Sequence, residues 1–162
     1  MRKFPAKISD EPEQAQAFFF PCYVHSRDYP EGASVNFFFD TGSSDVIMGE
    51  NDIKKMGIPL SSLSHTPKPI AGWGGTTIAF LLRNVCLYMT DSEGKTESFG
   101  VPEVICGRNP KQERTKTKGL QRVTQTRRIP IPSVIGRSFL RDTGLIAHVD
   151  VKGRDIYLFS RE

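Results

Sequence analysis

The chain has 162 residues, 38% of them apolar and 25% charged, with a formal net charge of +4. That is enough length for one domain with a buried core, in which the eleven Phe residues are the main packing mass. No stretch nears the roughly 18 uninterrupted apolar residues of a membrane span, so no membrane association is expected.

The first residues, MRKFPAKISD, carry early positive charge without an apolar core of signal-peptide length, and a cytoplasmic location is expected. Residues 1–17 read as an extension ahead of a single domain at 18–160. Residues 15–27 (AQAFFFPCYVHSR) predict a first strand, and 28–32 (DYPEG) a turn set by Pro30 and Gly32. Residues 33–39 predict a second strand and 45–49 a short third one. Residues 50–59 fit a short helix closed by Gly57 and stopped by Pro59. Residues 65–82 have hairpin composition with a glycine-rich tip, and 84–106 repeat that logic around the turn DSEGK.

Residues 108–128 hold eight basic residues against Glu113 alone, a net of +7, which leaves the remainder of the chain at −3. Polar, Gly-containing and nearly free of large apolar residues, this segment reads as a long exposed loop inserted in the domain. It has no aromatic residue to stack on bases, and a nucleic-acid partner is not expected. Beyond it, 129–136 predict a short apolar strand, 137–144 one helical segment ending at Gly144, and 145–160 a final hairpin. About eight short strands with little helix imply an all-β fold, a small barrel or sandwich.

The three cysteines, Cys22, Cys86 and Cys106, stand far apart in strand-like runs, so reduced core thiols are expected. The scattered His25, His65 and His148 give no metal-ligand spacing, and no metal or cofactor is expected.

Two Asp-Thr-Gly triplets stand out. Asp40 follows the apolar run Val35-Asn36-Phe37-Phe38-Phe39 and precedes the turn formers Thr41-Gly42-Ser43-Ser44. Asp142 follows a helical segment flanked by charges and reads as a solvated helix-end residue. A turn-capping role would explain an aspartate at 40 but not the three Phe before it.

Phe39-Asp40-Thr41-Gly42-Ser43, then the glycine-rich Ile70-Ala71-Gly72-Trp73-Gly74-Gly75, then Val134-Ile135-Gly136-Arg137-Ser138-Phe139-Leu140, resemble in their order the retropepsin-like aspartic proteases. The resemblance covers roughly residues 18–160, and GWGG with the longer connections looks more like cellular prokaryotic members than viral ones. It implies a closed β-barrel-like lobe with a flap hairpin and one short C-terminal helix, working as a homodimer. It also implies an aspartic endopeptidase acting on peptide or protein substrates, with Asp40 catalytic. Thr41, Gly42 and Ser43 would support the site, and Thr41 would bond across the dimer axis. Ala71, Gly72, Trp73, Gly74 and Gly75 would form the flap, and Ile135, Gly136 and Arg137 would sit structurally near the site.

With one complete set of motifs in the chain, the resemblance implies that the second aspartate is Asp40 of another copy. In viral members the arginine matching Arg137 pairs with an aspartate four residues after the catalytic one. Here that position is Ser44, with Asp45 one further on, so the role of Arg137 departs from the pattern. Val46, Ile47, Ile78, Phe80 and Val134 would line the cleft or belong to the core. The alternative is a protease-fold domain that binds peptides or self-associates with little or no hydrolysis.

Overall fold

In the computed structural model, residues 1–9, 17–72, 75–118 and 121–161 are described. The expected flap-tip residues Trp73 and Gly74 lie outside them, as do residues 10–16 of the N-terminal segment. The strands are β1 (Lys3–Pro5), β2 (Lys7–Ile8), β3 (Phe18–Ser26), β4 (Tyr29–Phe39), β5 (Ile47–Gly49), β6 (Ser64–Gly72), β7 (Gly75–Thr90), β8 (Thr96–Gly107), β9 (Lys111–Lys118), β10 (Gln121–Arg128), β11 (Val134–Ile135), β12 (Ile146–Asp150) and β13 (Asp155–Phe159). Two short helices accompany them, α1 (Glu50–Lys55) and α2 (Arg137–Thr143). The chain is mostly β, as expected, though with thirteen strands among the described residues where about eight were anticipated.

Eight strands form one sheet in the order β2-β3-β4-β11-β5-β8-β7-β6, and an added β3–β7 pairing closes it on itself. Burial alternates along β3, where Phe20, Cys22, Val24 and Ser26 face inward, and along β4, where Ala33, Val35 and Phe37 do. That period of two is what a closed sheet with a filled interior demands. Phe4, Phe99 and Phe139 meet edge to face in series, with ring centroids 5.3 and 5.9 Å apart. This joins the sheet to α2 through the geometry that aromatic quadrupoles favour.

Three expectations are corrected by the fold. The first concerns residues 1–17, read as an extension. β1 pairs with β13, β2 pairs with β3, and Phe4 is only 1% exposed, so the start of the chain is part of the core. A lone Phe among charged residues gives too little periodicity to be read as a strand.

Second, DYPEG is not the turn. The chain reverses at Arg27 and Asp28, and Tyr29 already pairs with Ser26. Asn84 holds this reversal from β7 by accepting the Arg27 N–H and donating its amide to Asp28. Gly32 lies within β4, where a Cβ would stand 2.3 Å from the Tyr23 hydroxyl.

Third, the basic segment is not a loop. β9 and β10 pair antiparallel over eight residues each as a separate two-stranded ribbon, from Lys111↔Arg128 to Lys118↔Gln121. Thr115 and Thr124 face each other across it, with hydroxyls 3.4 Å apart. β-branched threonines favour this pleat, and the missing apolar alternation concealed it: none of the described side chains on either strand is buried.

The hairpins expected at 65–82, 84–106 and 145–160 and both helices occur where the sequence put them. Gly57 and Gly144, at φ +67° and +69°, end the helices in the left-handed region. The cysteines are free; burial pushes the Cys22 and Cys106 thiols up to about 12. No helix among the described residues is long and apolar enough to cross a membrane.

Candidate active site

Asp40 stands one residue beyond β4, and its position follows from strand pairing. β11 lies between β4, to which it runs parallel (Ile135↔Phe39), and β5, to which it runs antiparallel (Val134↔Ile47). The Asp40 N–H donates to the Ile135 carbonyl at 3.2 Å and extends that ladder by one bond. Loop 40–46 joins β4 to β5, so it must cross the end of β11. Gly136 sits at that crossing.

A Cβ on Gly136 would lie 2.4 Å from the Asp45 carbonyl oxygen and 2.6 Å from that of Ser43. Both are backbone atoms and cannot swing aside, so only glycine lets the strands and the loop close here. The next two amides are the first N–H groups of α2, which have no carbonyl within their own helix. Arg137 donates to Ser43 O at 3.0 Å and Ser138 to Ser44 O at 2.9 Å. The helix start and the loop therefore satisfy each other, without a side-chain cap.

Within the loop, the Gly42 N–H donates to Asp40 Oδ1 at 2.8 Å, and Ser43 N–H to Asp40 O at 3.2 Å. The carboxylate is oriented by its own turn while the side chain stays exposed. A Cβ on Gly42 would press to 3.0 Å of that same oxygen. Ser43 Oγ donates to Asp45 O and Ser44 Oγ to Asp45 Oδ2, and these bonds stiffen the far end of the turn. Thr41 is exposed at the apex.

Beside this turn is a concavity of about 440 Å³. It is lined by Gly42, Ser43, Ser44, Asp45 and Ile47, by Ile105 of β8 and by Pro69, Ile70 and Ala71 of β6, while Asp40 itself is not part of the lining. Of the expected flap residues, Ala71 is thus on the wall, and Gly72 and Gly75 pair as the last register of the β6–β7 hairpin. Pro69, Ile70 and Ile105 were missed because apolar residues inside predicted strands read as core. A larger concavity, about 490 Å³, opens between the N-terminal strands, β3, β4 and β7. None of the expected site residues lines it.

Of the five residues left between cleft and core, Val46 and Phe80 are core, and Ile47 lines the concavity. Val134 is half-buried on β11, while Ile78 is 55% exposed, so neither reading fits it. Arg137 contributes its backbone N–H; its side chain is exposed and does not pair with Asp45. Asp45 instead adds to the field that favours the charged form of Arg141, after the hydrogen bond and charge of Asp142. Asp142 lies in the last turn of α2, where Arg141 Nε donates to its Oδ1 at 2.7 Å. That bond holds its carboxyl below the usual carboxylate range.

Behind the site, Ser133 and Glu50 form a buried polar layer. Ser133 Oγ accepts from Gly49 N–H and donates to Asp52. Glu50 accepts the Asn109 N–H at 2.8 Å and pairs with Lys54. Burial alone would raise the Glu50 pKa, but the Lys54 and Asn109 bonds and the charges of Lys54 and Arg128 outweigh it and hold it below the ordinary value. Among the described residues no three of His, Cys, Asp and Glu gather as a metal site.

No family model and no curated protein matches this chain. Among solved structures it is similar to a retropepsin-like aspartic protease from Rickettsia conorii, at 18% identity and a TM-score of 0.47. That match covers 87% of this chain and 89% of the other.

Proposed function

We propose that this chain is an aspartic endopeptidase that works as a homodimer, with one Asp40 from each copy at a shared site. The observation that carries the reading is the clamped turn. An exposed carboxylate is held by the Gly42 N–H, and its loop is locked against Gly136 and the start of α2, with residues 42–45 of that loop lining a concavity shared with β6.

Hydrolysis by this route needs one carboxylate to take a proton from water and a second acid to protonate the peptide carbonyl oxygen. Two carboxylates brought to about 3 Å cannot both ionise cheaply, so a pair shares one proton and holds both roles at once. One chain supplies one such aspartate; a two-fold axis supplies the other. Thr41, at the apex, bonds across that axis, and Ser43 keeps the turn in shape. The β6–β7 hairpin acts as the flap, closing over the peptide and excluding water. No cofactor takes part.

The test is hydrolysis of a peptide library across pH, read by mass spectrometry, with and without a hydroxyl-bearing peptide mimic of the tetrahedral intermediate. Cleavage strongest at acid pH, blocked by the mimic and indifferent to a chelator, is the expected result. Tight mimic binding without cleavage would move the chain to the peptide-binding alternative.

A further inference from the structure

We propose that the β9–β10 ribbon is an exosite that captures acidic, extended polypeptide segments and feeds them to the concavity beside Asp40. The proposal rests on the proteolytic reading for its purpose but not for its binding chemistry.

The ribbon is short of every ordinary structural reason for its composition. It forms its own two-stranded sheet, with both outer edges unpaired among the described residues. Its side chains at 111–115, 117, 122 and 124–128 are exposed. At about 3.4 Å per residue its eight-residue strands reach roughly 25 Å. Open edges invite another strand, and a ribbon this basic repels its own copies. The strand that fits is therefore acidic: main-chain bonds to an open edge would hold it, and its carboxylates would face the arginines and lysines across the pair.

The root of the ribbon sets its direction. Asn109, 7% exposed, donates its N–H to Glu50 and its side-chain amide to Asn51, and accepts the Ile131 N–H at 3.0 Å. Both legs of the ribbon are thus tied to α1 through one buried side chain, and Ile129 N–H to Pro110 O closes its base. Just before it, Gly107 packs so closely that a Cβ would meet Ile70 at 2.8 Å and Ile131 at 2.9 Å. Ile70 and Ile105 line the concavity, so the charged arm starts at the wall of the candidate active site. A nucleic acid would find the charge but no aromatic residue between 108 and 128 on which to stack a base.

The experiment uses Asp40→Asn protein, so that probes stay intact, and fluorescence anisotropy of a labelled peptide alternating Glu and Thr. A Gln-Thr peptide and a short DNA duplex serve as comparisons. The ribbon variant is K111Q/R114Q/R122Q/R127Q, which lowers the segment from +7 to +3 and spares Arg128, 4.0 Å from Glu50. Its partner variant changes the same arginines to Lys and keeps Lys111, preserving charge.

The expected result is binding of the Glu-Thr peptide that weakens roughly tenfold or more in the Gln variant and with added salt, and survives in the Lys variant. In the active chain, the ratio of kcat/KM for Glu-flanked over Gln-flanked substrates should fall with the same substitutions. If the Glu-Thr peptide binds through the ribbon while no peptide is ever cleaved, the exosite stands and the proteolytic reading fails. Equal affinity for the Glu-Thr and Gln-Thr peptides, or a duplex that binds more tightly and displaces the peptide, overturns the proposal.

Discussion

At 40–42, Asp-Thr-Gly follows the eleven-residue strand β4; at 142–144, the same three residues close the seven-residue helix α2. In the first setting the chain turns back over its own aspartate, and the Gly42 N–H points at Oδ1. In the second, Gly144 takes φ +69° to end the helix, and the aspartate finds only a neighbouring surface arginine. One tripeptide has two fates because the preceding element decides which backbone groups are free. A strand end leaves the turn's amides available to a carboxylate. In a helix's last turn the amides are already bonded to the helix's own carbonyls, and here that turn faces solvent.

The largest test of this comparison is the pair of asparagine exchanges. On the proposed reading, Asp40→Asn removes the shared proton chemistry while keeping shape, and peptide hydrolysis should fall by roughly 10³-fold or more. Thermal unfolding should stay close to that of the parent, which separates lost chemistry from lost fold. If Asp40→Asn retains activity and the exchange at 142 destroys it, the two triplets have been assigned the wrong way round.

The glycines sharpen the same contrast at an intermediate size. Gly136→Ala forces a methyl group against two backbone oxygens of the 40–46 loop. Overpacking of this kind costs about 1–3 kcal/mol. The strain falls on the turn that aims Asp40, so activity should drop at least roughly tenfold, by more than stability alone explains. Gly144→Ala meets nothing within 4 Å and pays only for its left-handed backbone, about 1–2 kcal/mol. It should lower the melting temperature and leave kcat/KM nearly unchanged. Matching activity losses at the two glycines would mean that the clamp does not position the aspartate.

A smaller effect bears on whether Asp40 needs a second copy. When wild-type and Asp40→Asn chains are mixed equally and allowed to exchange, about a quarter of dimers keep both aspartates. Activity should settle at that quarter and fall on dilution. An outcome of one half, with a monomer mass where activity persists, returns attention to an in-chain partner.

Most of the β order was legible because strands that close a filled sheet must alternate, and turns must carry Gly, Asn or Asp. Phe37 and Val35 announced β4, and the tight turn at Asp91–Lys95, with Asp91 Oδ1 accepting two amides, was plain in DSEGK. The candidate site was legible as a turn after a strand, but not its clamp. Gly136 is glycine because residues 43 and 45 come to rest on it, a contact across some ninety residues that local pattern cannot report. The ribbon escaped for the opposite reason. Thr alternates there with Lys, Gln and Arg, and no described side chain is buried, so the usual apolar signal was missing although the backbone is as regular as β8.

The smallest effect belongs to Asp142. Its pKa is lowered by the Arg141 bond, so the pair favours the fold above the ordinary aspartate range, and that contribution disappears as pH falls through the depressed value. Both side chains are open to solvent, where salt and side-chain entropy cancel most of such a gain. Asp142→Asn should therefore shift the melting temperature at neutral pH by no more than about 1 °C, and less in high salt. Hydrolysis should remain within about two-fold. The carboxyl itself can be followed by NMR, where Arg141→Gln should return its titration toward the ordinary range while peptide cleavage continues. A cleavage loss tracking that titration would show Asp142 at work in catalysis and break the distinction between the triplets from its weaker side.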